Sequence, residues 1–146
     1  APMCGVRSPT GDPSPEGKMR LHPTEEQIQR AVIQWLDAAL PEDAVYFAVP
    51  NGGARHPAVA AKLKATGTRR GVPDLSLVWK GRAIFIELKA KGGSLSPVQK
   101  IMQSRLVRAG AVVFDTARSV DEVEAFLLRC AEAREACRSA SMVYWA

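Results

Sequence analysis

From residue 24 onward the apolar positions fall into two rhythms. Ile28, Val32, Trp35, Leu36, Ala39 and Leu40 recur every three or four residues, the spacing of one helical face. Thr24-Glu25-Glu26-Gln27 precedes them as a capping box, and Pro41 ends the run. A short apolar stretch at residues 45–49 predicts a strand, and residues 57–65, closed by Gly67, predict a short helix. Residues 74–79 and 82–89 alternate with period two around Lys80-Gly81, the pattern of a β-hairpin with a two-residue turn. Ser96-Pro97-Val98-Gln99 is a second capping box, with proline at the first helical position. The helix it opens runs to Ala109, where Gly110 stops it. Residues 111–115 form a buried strand in this reading, and Ser119 caps a last helix from Asp121 to about Arg138. The order is helix, three strands, helix, strand, helix, with one short helix inserted after the first strand. Two strands joined through a helix run parallel, so the expected class is α/β, a mixed central sheet flanked by helices.

Outside that stretch the patterning fades. Residues 1–20 carry Pro2, Pro9, Pro13 and Pro15 among Gly and Ser and predict a disordered leader. Residues 21–138 make up the domain, and residues 139–146, with Met142, Val143, Tyr144 and Trp145, a C-terminal tail that folds back or contacts a partner. At 146 residues the chain fits one domain. No apolar run approaches the ~18 residues of a membrane span. Cys4, Cys130 and Cys137 fit neither a closed disulfide framework nor a zinc module, which predicts a reduced, cytoplasmic setting. No Gly-rich phosphate loop or Ser/His/Asp arrangement is evident, and no organic cofactor is expected. His22 and His56 stand beside prolines without a partner histidine at ligand spacing and are assigned no catalysis.

The charge is unevenly placed. Of a net +5, residues 51–110 hold 12 basic side chains against two acidic ones, Asp74 and Glu87, while the flanks hold 8 basic and 13 acidic. A solvated face can look like this, and so can the footprint of a phosphate-backbone binder. Arg55, Lys62, Lys64, Arg69 and Arg70 suit phosphate contacts that position a duplex without reading its bases, and Lys91 joins them as a candidate.

The two acids are what a solvated face leaves unexplained. With Lys80-Gly81 as the turn, Trp79 faces Arg82, Leu77 faces Ile84, Leu75 faces Ile86, and Asp74 faces Glu87. That register sorts the strong hydrophobes to one side and both acids to the other. Opposed carboxylates ~4.5–5.5 Å apart at Cβ repel unless a cation lies between them or a proton is shared. Mg2+ prefers such hard oxygens and keeps places for water and substrate phosphate. Lys89, two residues past Glu87, projects from the same face, beside the water that would attack phosphorus. The alternative is an ordinary Glu-x-Lys ladder on a solvated strand.

Taken together, Gly71-Val72-Pro73-Asp74, Glu87-Leu88-Lys89 and Leu95-Ser96-Pro97-Val98-Gln99 resemble the VRR-NUC domain of the PD-(D/E)XK nuclease superfamily. The resemblance covers roughly residues 24–128. It is closest to the small stand-alone members of phages and bacteria, which also show Asn-Gly-Gly and then Arg, here Asn51-Gly52-Gly53 and Arg55. It implies the restriction endonuclease-like αβββαβ core and metal-dependent phosphodiester cleavage. Asp74, Glu87 and the Leu88 carbonyl would bind Mg2+ or Mn2+, and Lys89 would handle the water. Gln99 matches the family's glutamine, although its cap to Ser96 explains it equally well. The family also places a glutamate on the first helix. Glu25 lies within the apolar face and Glu26 turns outward, so Glu25 is the candidate; a first-turn glutamate also suits the helix dipole. Stand-alone relatives imply a homodimer acting on branched DNA such as Holliday junctions. Two other functions are compatible: a non-catalytic basic nucleic-acid-binding module, and an RNA-processing nuclease on the same fold.

Overall fold

The computed structural model describes residues 21–50 and 55–144, with side chains through residue 135. The expected leader at residues 1–20 and Asn51-Gly52-Gly53 lie outside the described residues. Helix α1 spans Glu25–Ala39, and both halves of its capping box form: Gln27 N donates to Thr24 Oγ1 at 3.2 Å and Thr24 N to Gln27 Oε1 at 2.9 Å. Strand β1 (Ala44–Ala48), helix α2 (Pro57–Ala65) and the hairpin β2 (Leu75–Trp79) and β3 (Arg82–Leu88) follow. Helix α3 (Pro97–Arg108), strand β4 (Val112–Ala117) and helix α4 (Val120–Tyr144) complete the order.

The sheet runs β1-β2-β3-β4, antiparallel except for the parallel pair β3–β4 that the α3 crossover demands. The hairpin has the expected register, with Leu75 opposite Ile86, Leu77 opposite Ile84 and Trp79 opposite Arg82. Its turn residues, Lys80 (φ 47°) and Gly81 (φ 76°), are both left-handed, as a turn matched to strand twist requires. Leu75, Leu77, Ile84 and Ile86 point to one face and are buried beneath Ile28, Val32 and Leu36 of α1 and Val123 and Leu127 of α4. That single layer is the core. On the opposite face α3 lies over β4, where Gln103 Nε2 donates to the Asp115 carbonyl at 3.2 Å.

The structure departs from the sequence reading in three places. Ladder pairing of β2 starts at Leu75 rather than Asp74 and that of β3 stops at Leu88 rather than Lys89, because the Asp74 side chain takes the Leu88 amide at 2.8 Å. Strand β4 is half-buried rather than buried and extends to Ala117, since it forms an edge of the sheet. Helix α4 does not stop near Arg138; no Gly or Pro interrupts residues 119–144, and the helix takes in most of the expected tail.

Candidate active site

The site forms where β2 begins and β3 ends. Asp74 and Glu87 sit on the sheet face opposite the core, next to the start of α3. Glu87 is 1% exposed, and Lys89 is also buried. A buried carboxylate is costly unless paired, and Glu87 is paired on one oxygen only. Its Oε1 lies 3.0 Å from Lys89 Nζ and accepts from Gln99 Nε2 at 2.6 Å. Its Oε2 is buried without a hydrogen-bond partner. Burial, reinforced by the Asp74 charge, pushes the Glu87 carboxyl up to about 7 against the pull of Lys89. Burial raises Asp74 as well, opposed by the Leu88 amide and the Lys89 charge.

Each neighbour is brought in by a local feature of the sequence. Gln99 is held by its capping box, Oε1 accepting from Ser96 N at 2.9 Å, so its amide nitrogen is aimed at Glu87. The cap and the site contact thus use opposite ends of one amide. Gly71 lets the turn before Asp74 lie against α3: with φ +79°, a Cβ there would stand 2.6 Å from the Val98 carbonyl oxygen. Glu25, from the first turn of α1, places Oε1 3.9 Å from Lys89 Nζ. Glu26 instead turns outward and pairs with Arg30 at 2.7 Å.

Asp74, Glu87, Leu88, Lys89, Glu25 and Gln99 therefore share one neighbourhood. The basic candidates are spread more widely. Arg55 donates to the Pro50 carbonyl at 2.9 Å, and Arg69 to the Lys64 carbonyl at 3.4 Å. With Arg70 they line an open groove of about 1090 Å3 along α2, a helix with no buried residue. Lys91 is separate from them, 3.1 Å from His22 Nε2 in the turn after Lys89. Asn51 lies outside the described residues. Among the described residues, no three His, Cys, Asp or Glu side chains gather closely enough to cage a cation. Two carboxylates, a backbone carbonyl, water and substrate phosphate are a usual environment for Mg2+, and the unpartnered Glu87 Oε2 fits such a group.

Sequence reasoning missed Arg118, just beyond β4, whose guanidinium bonds the carbonyls of Ala90 and Gly93. Gly92-Gly93 marks a turn after Lys91, but nothing local announces an arginine reaching it from 25 residues away.

The VRR-NUC domain model matches residues 23–120 of the chain. The chain belongs to the VRR-NUC domain family. It carries a nuclease-type domain with the restriction endonuclease-like fold, for which nucleic acid is the implied partner. A solved structure described as a VRR_NUC domain protein is similar at 25% identity and a TM-score of 0.60, over 73% of this chain and 87% of the other. A second, described as a VRR_NUC domain, shares 21% identity at a TM-score of 0.48 over 70% and 92%. No curated protein matches. Among the described residues, no helix of this VRR-NUC protein is long and apolar enough to cross a membrane.

Proposed function

We propose that this VRR-NUC protein is a divalent-metal-dependent endonuclease that hydrolyses DNA phosphodiester bonds, with branched DNA as its substrate. The observation that carries the reading is the half-satisfied Glu87: Lys89 and Gln99 fix one oxygen, while the other is buried, unpartnered and on the same face as Asp74. Asp74, Glu87 and the Leu88 carbonyl would hold Mg2+ or Mn2+, which when bound supplies Lewis-acid stabilisation of the phosphate and a more acidic water.

The chain's own residues account for the rest. Gln99 and Lys89 hold Glu87 Oε1 so that the carboxylate keeps one orientation. The Lys89 ammonium, screened from bulk solvent, orients the attacking water and offsets negative charge that develops on the phosphate oxygens. The water attacks phosphorus in line with the leaving oxygen and passes its proton to bulk water. The phosphorus–oxygen ester bond breaks with its electron pair on the leaving sugar oxygen, which takes a proton from solvent. Glu25, across Lys89 from Glu87, steadies the ammonium. Arg55, Lys64, Arg69, Arg70 and Lys91, together with Asn51, would contact the phosphate backbone. Cutting both strands of a symmetric branch calls for two sites, hence a homodimer, and we place its work in DNA repair in a bacterial or phage-infected cytoplasm.

The test is cleavage of four-way junction, flap, single-stranded and plain duplex DNA and matched RNA, with and without Mg2+. The expected result is Mg2+-dependent cutting strongest on junctions, reduced roughly 10²–10⁴-fold in Lys89→Ala with binding nearly unchanged. Salt-sensitive binding without metal-dependent cleavage would make the protein a binding module. Preferential cutting of RNA would make it an RNA-processing nuclease.

A further inference from the structure

Behind Lys89 the chain makes a tight turn over Ala90-Lys91-Gly92-Gly93, closed by Gly93 N donating to the Ala90 carbonyl at 3.0 Å. Gly92 takes a positive φ (+80°), the value that a type II turn has at its third position. The turn borders the site directly: a Cβ on Gly93 would stand 3.6 Å from Glu25 Oε1 and 3.6 Å from the Lys89 Cβ. It connects to α3 across residues 94–96 and is tied to the sheet from one side, by β4. Lys89 N donates to the Ala117 carbonyl at 2.9 Å. The next residue, Arg118, bonds both ends of the turn, Nη1 to the Ala90 carbonyl and Nη2 to the Gly93 carbonyl at 2.9 Å. Its own amide donates to Glu122 Oε2 at 2.7 Å, which fixes the backbone from which the side chain reaches.

A half-buried guanidinium clamping two carbonyls of a four-residue turn does more than satisfy those carbonyls. The planar fork sets the spacing between Ala90 and Gly93. That spacing fixes where the chain leaves Lys89 and how closely Gly93 lies against Glu25. We infer that Arg118 is a positioning residue: through the 90–93 turn it holds Lys89 and Glu25 in the geometry that the reaction uses. The inference rests on the endonuclease reading for its catalytic consequence, and on the Arg118, Ala90 and Gly93 contacts for its structural one.

Two variants separate positioning from plain stability. In Arg118→Met the stem remains and the fork is lost; kcat for junction cleavage falls roughly 10- to 100-fold, the scale of a misplacement near 1 Å, while KM stays within about twofold. Arg118→Lys, which keeps a cation able to reach one carbonyl, recovers part of the loss. A second readout needs no cleavage: the 13Cε resonance of Lys89 moves in Arg118→Met while the methyl resonances of Ile28 and Val32 in the core stay in place. An unmoved Lys89 resonance, or kcat and KM that match wild type, overturns the inference. Should the wild-type chain cut no nucleic acid, the endonuclease reading fails instead, and the Lys89 resonance alone decides for or against the positioning role.

Discussion

At the scale of single residues, Glu87 concentrates the physics of the site. A carboxylate buried with one oxygen paired and one bare is poorly placed to be charged. Its rise to about 7 is the consequence. The sign for stability follows from linkage. The native state holds the Glu87 proton more tightly than the unfolded chain, whose carboxyl titrates near 4.5. The stabilising contribution is therefore complete below about pH 4.5 and is lost as pH rises through about 7. Asp74, also raised, adds in the same direction. Urea denaturation in EDTA should show the wild type less stable at pH 8 than at pH 5, by an amount on the order of 1–3 kcal/mol. Glu87→Gln should flatten that difference, and an unchanged slope would locate the titration elsewhere. Much at this scale was legible in the sequence. The helical phase of Glu25 against Glu26, the hairpin register from Trp79–Arg82 back to Leu75–Ile86, and the Lys89 periodicity all rest on backbone regularities. Asp74, expected opposite Glu87, instead lies one residue beyond the observed pairing. The double use of Gln99 was only half legible, because a capping box is a local pattern while its reach to Glu87 depends on how α3 packs. Arg118 was not legible at all, since its partners are backbone carbonyls, which have no signature in a sequence.

At the scale of elements, the fold is decided by three local devices: two capping boxes and the Lys80-Gly81 turn. They start α1 and α3 and fix the hairpin register, and burial of the Leu75, Leu77, Ile84 and Ile86 face then leaves one way to stack the helices. Element ends were less legible. Asp74 and Lys89 continue the alternation of their strands, yet the side chain of Asp74 takes the Leu88 amide, and the pairing of β3 with β4 shifts register between Ile86 and Leu88. Helix α2 has the bounds that its sequence predicts although it buries no residue; His56 caps it, its Nδ1 accepting from Ala58 N at 3.2 Å. The junction between the hairpin and α3 is the element contact that matters most for function. Gly71→Ala forces a methyl into the Val98 carbonyl and asks alanine to adopt a positive φ. It should cost about 1–3 kcal/mol in stability. By moving the first turn of α3 it should also weaken the Gln99–Glu87 bond and lower the cleavage rate beyond the stability loss. Full activity in a folded Gly71→Ala protein would show that the close approach is dispensable.

At the scale of the whole molecule, the layers and the charge divide the labour. One face of the sheet is closed by α1 and α4 into the core; the other carries the acids, Lys89 and α3. The basic block of residues 51–110 surrounds only two acids, and both are drawn into the site. A phosphate backbone held by about five of these cations releases their counterions, so raising salt from about 50 to 200 mM should weaken DNA binding roughly 10²–10³-fold. The double change Arg69→Ala, Arg70→Ala should make the salt slope shallower by nearly two, whereas an unaltered slope would place the DNA away from the α2 groove. Cleavage itself depends on the site, where Asp74 and Glu87 together would take up a divalent ion beside Lys89. Crystals grown with Mn2+ and measured at the manganese edge test this uptake most directly. One strong anomalous peak is expected within about 2.0–2.4 Å of an Asp74 oxygen and of Glu87 Oε2, lost in Glu87→Gln. Crystals with Mn2+ bound elsewhere, or with Glu87 Oε2 still unpartnered at saturating Mn2+, would contradict it.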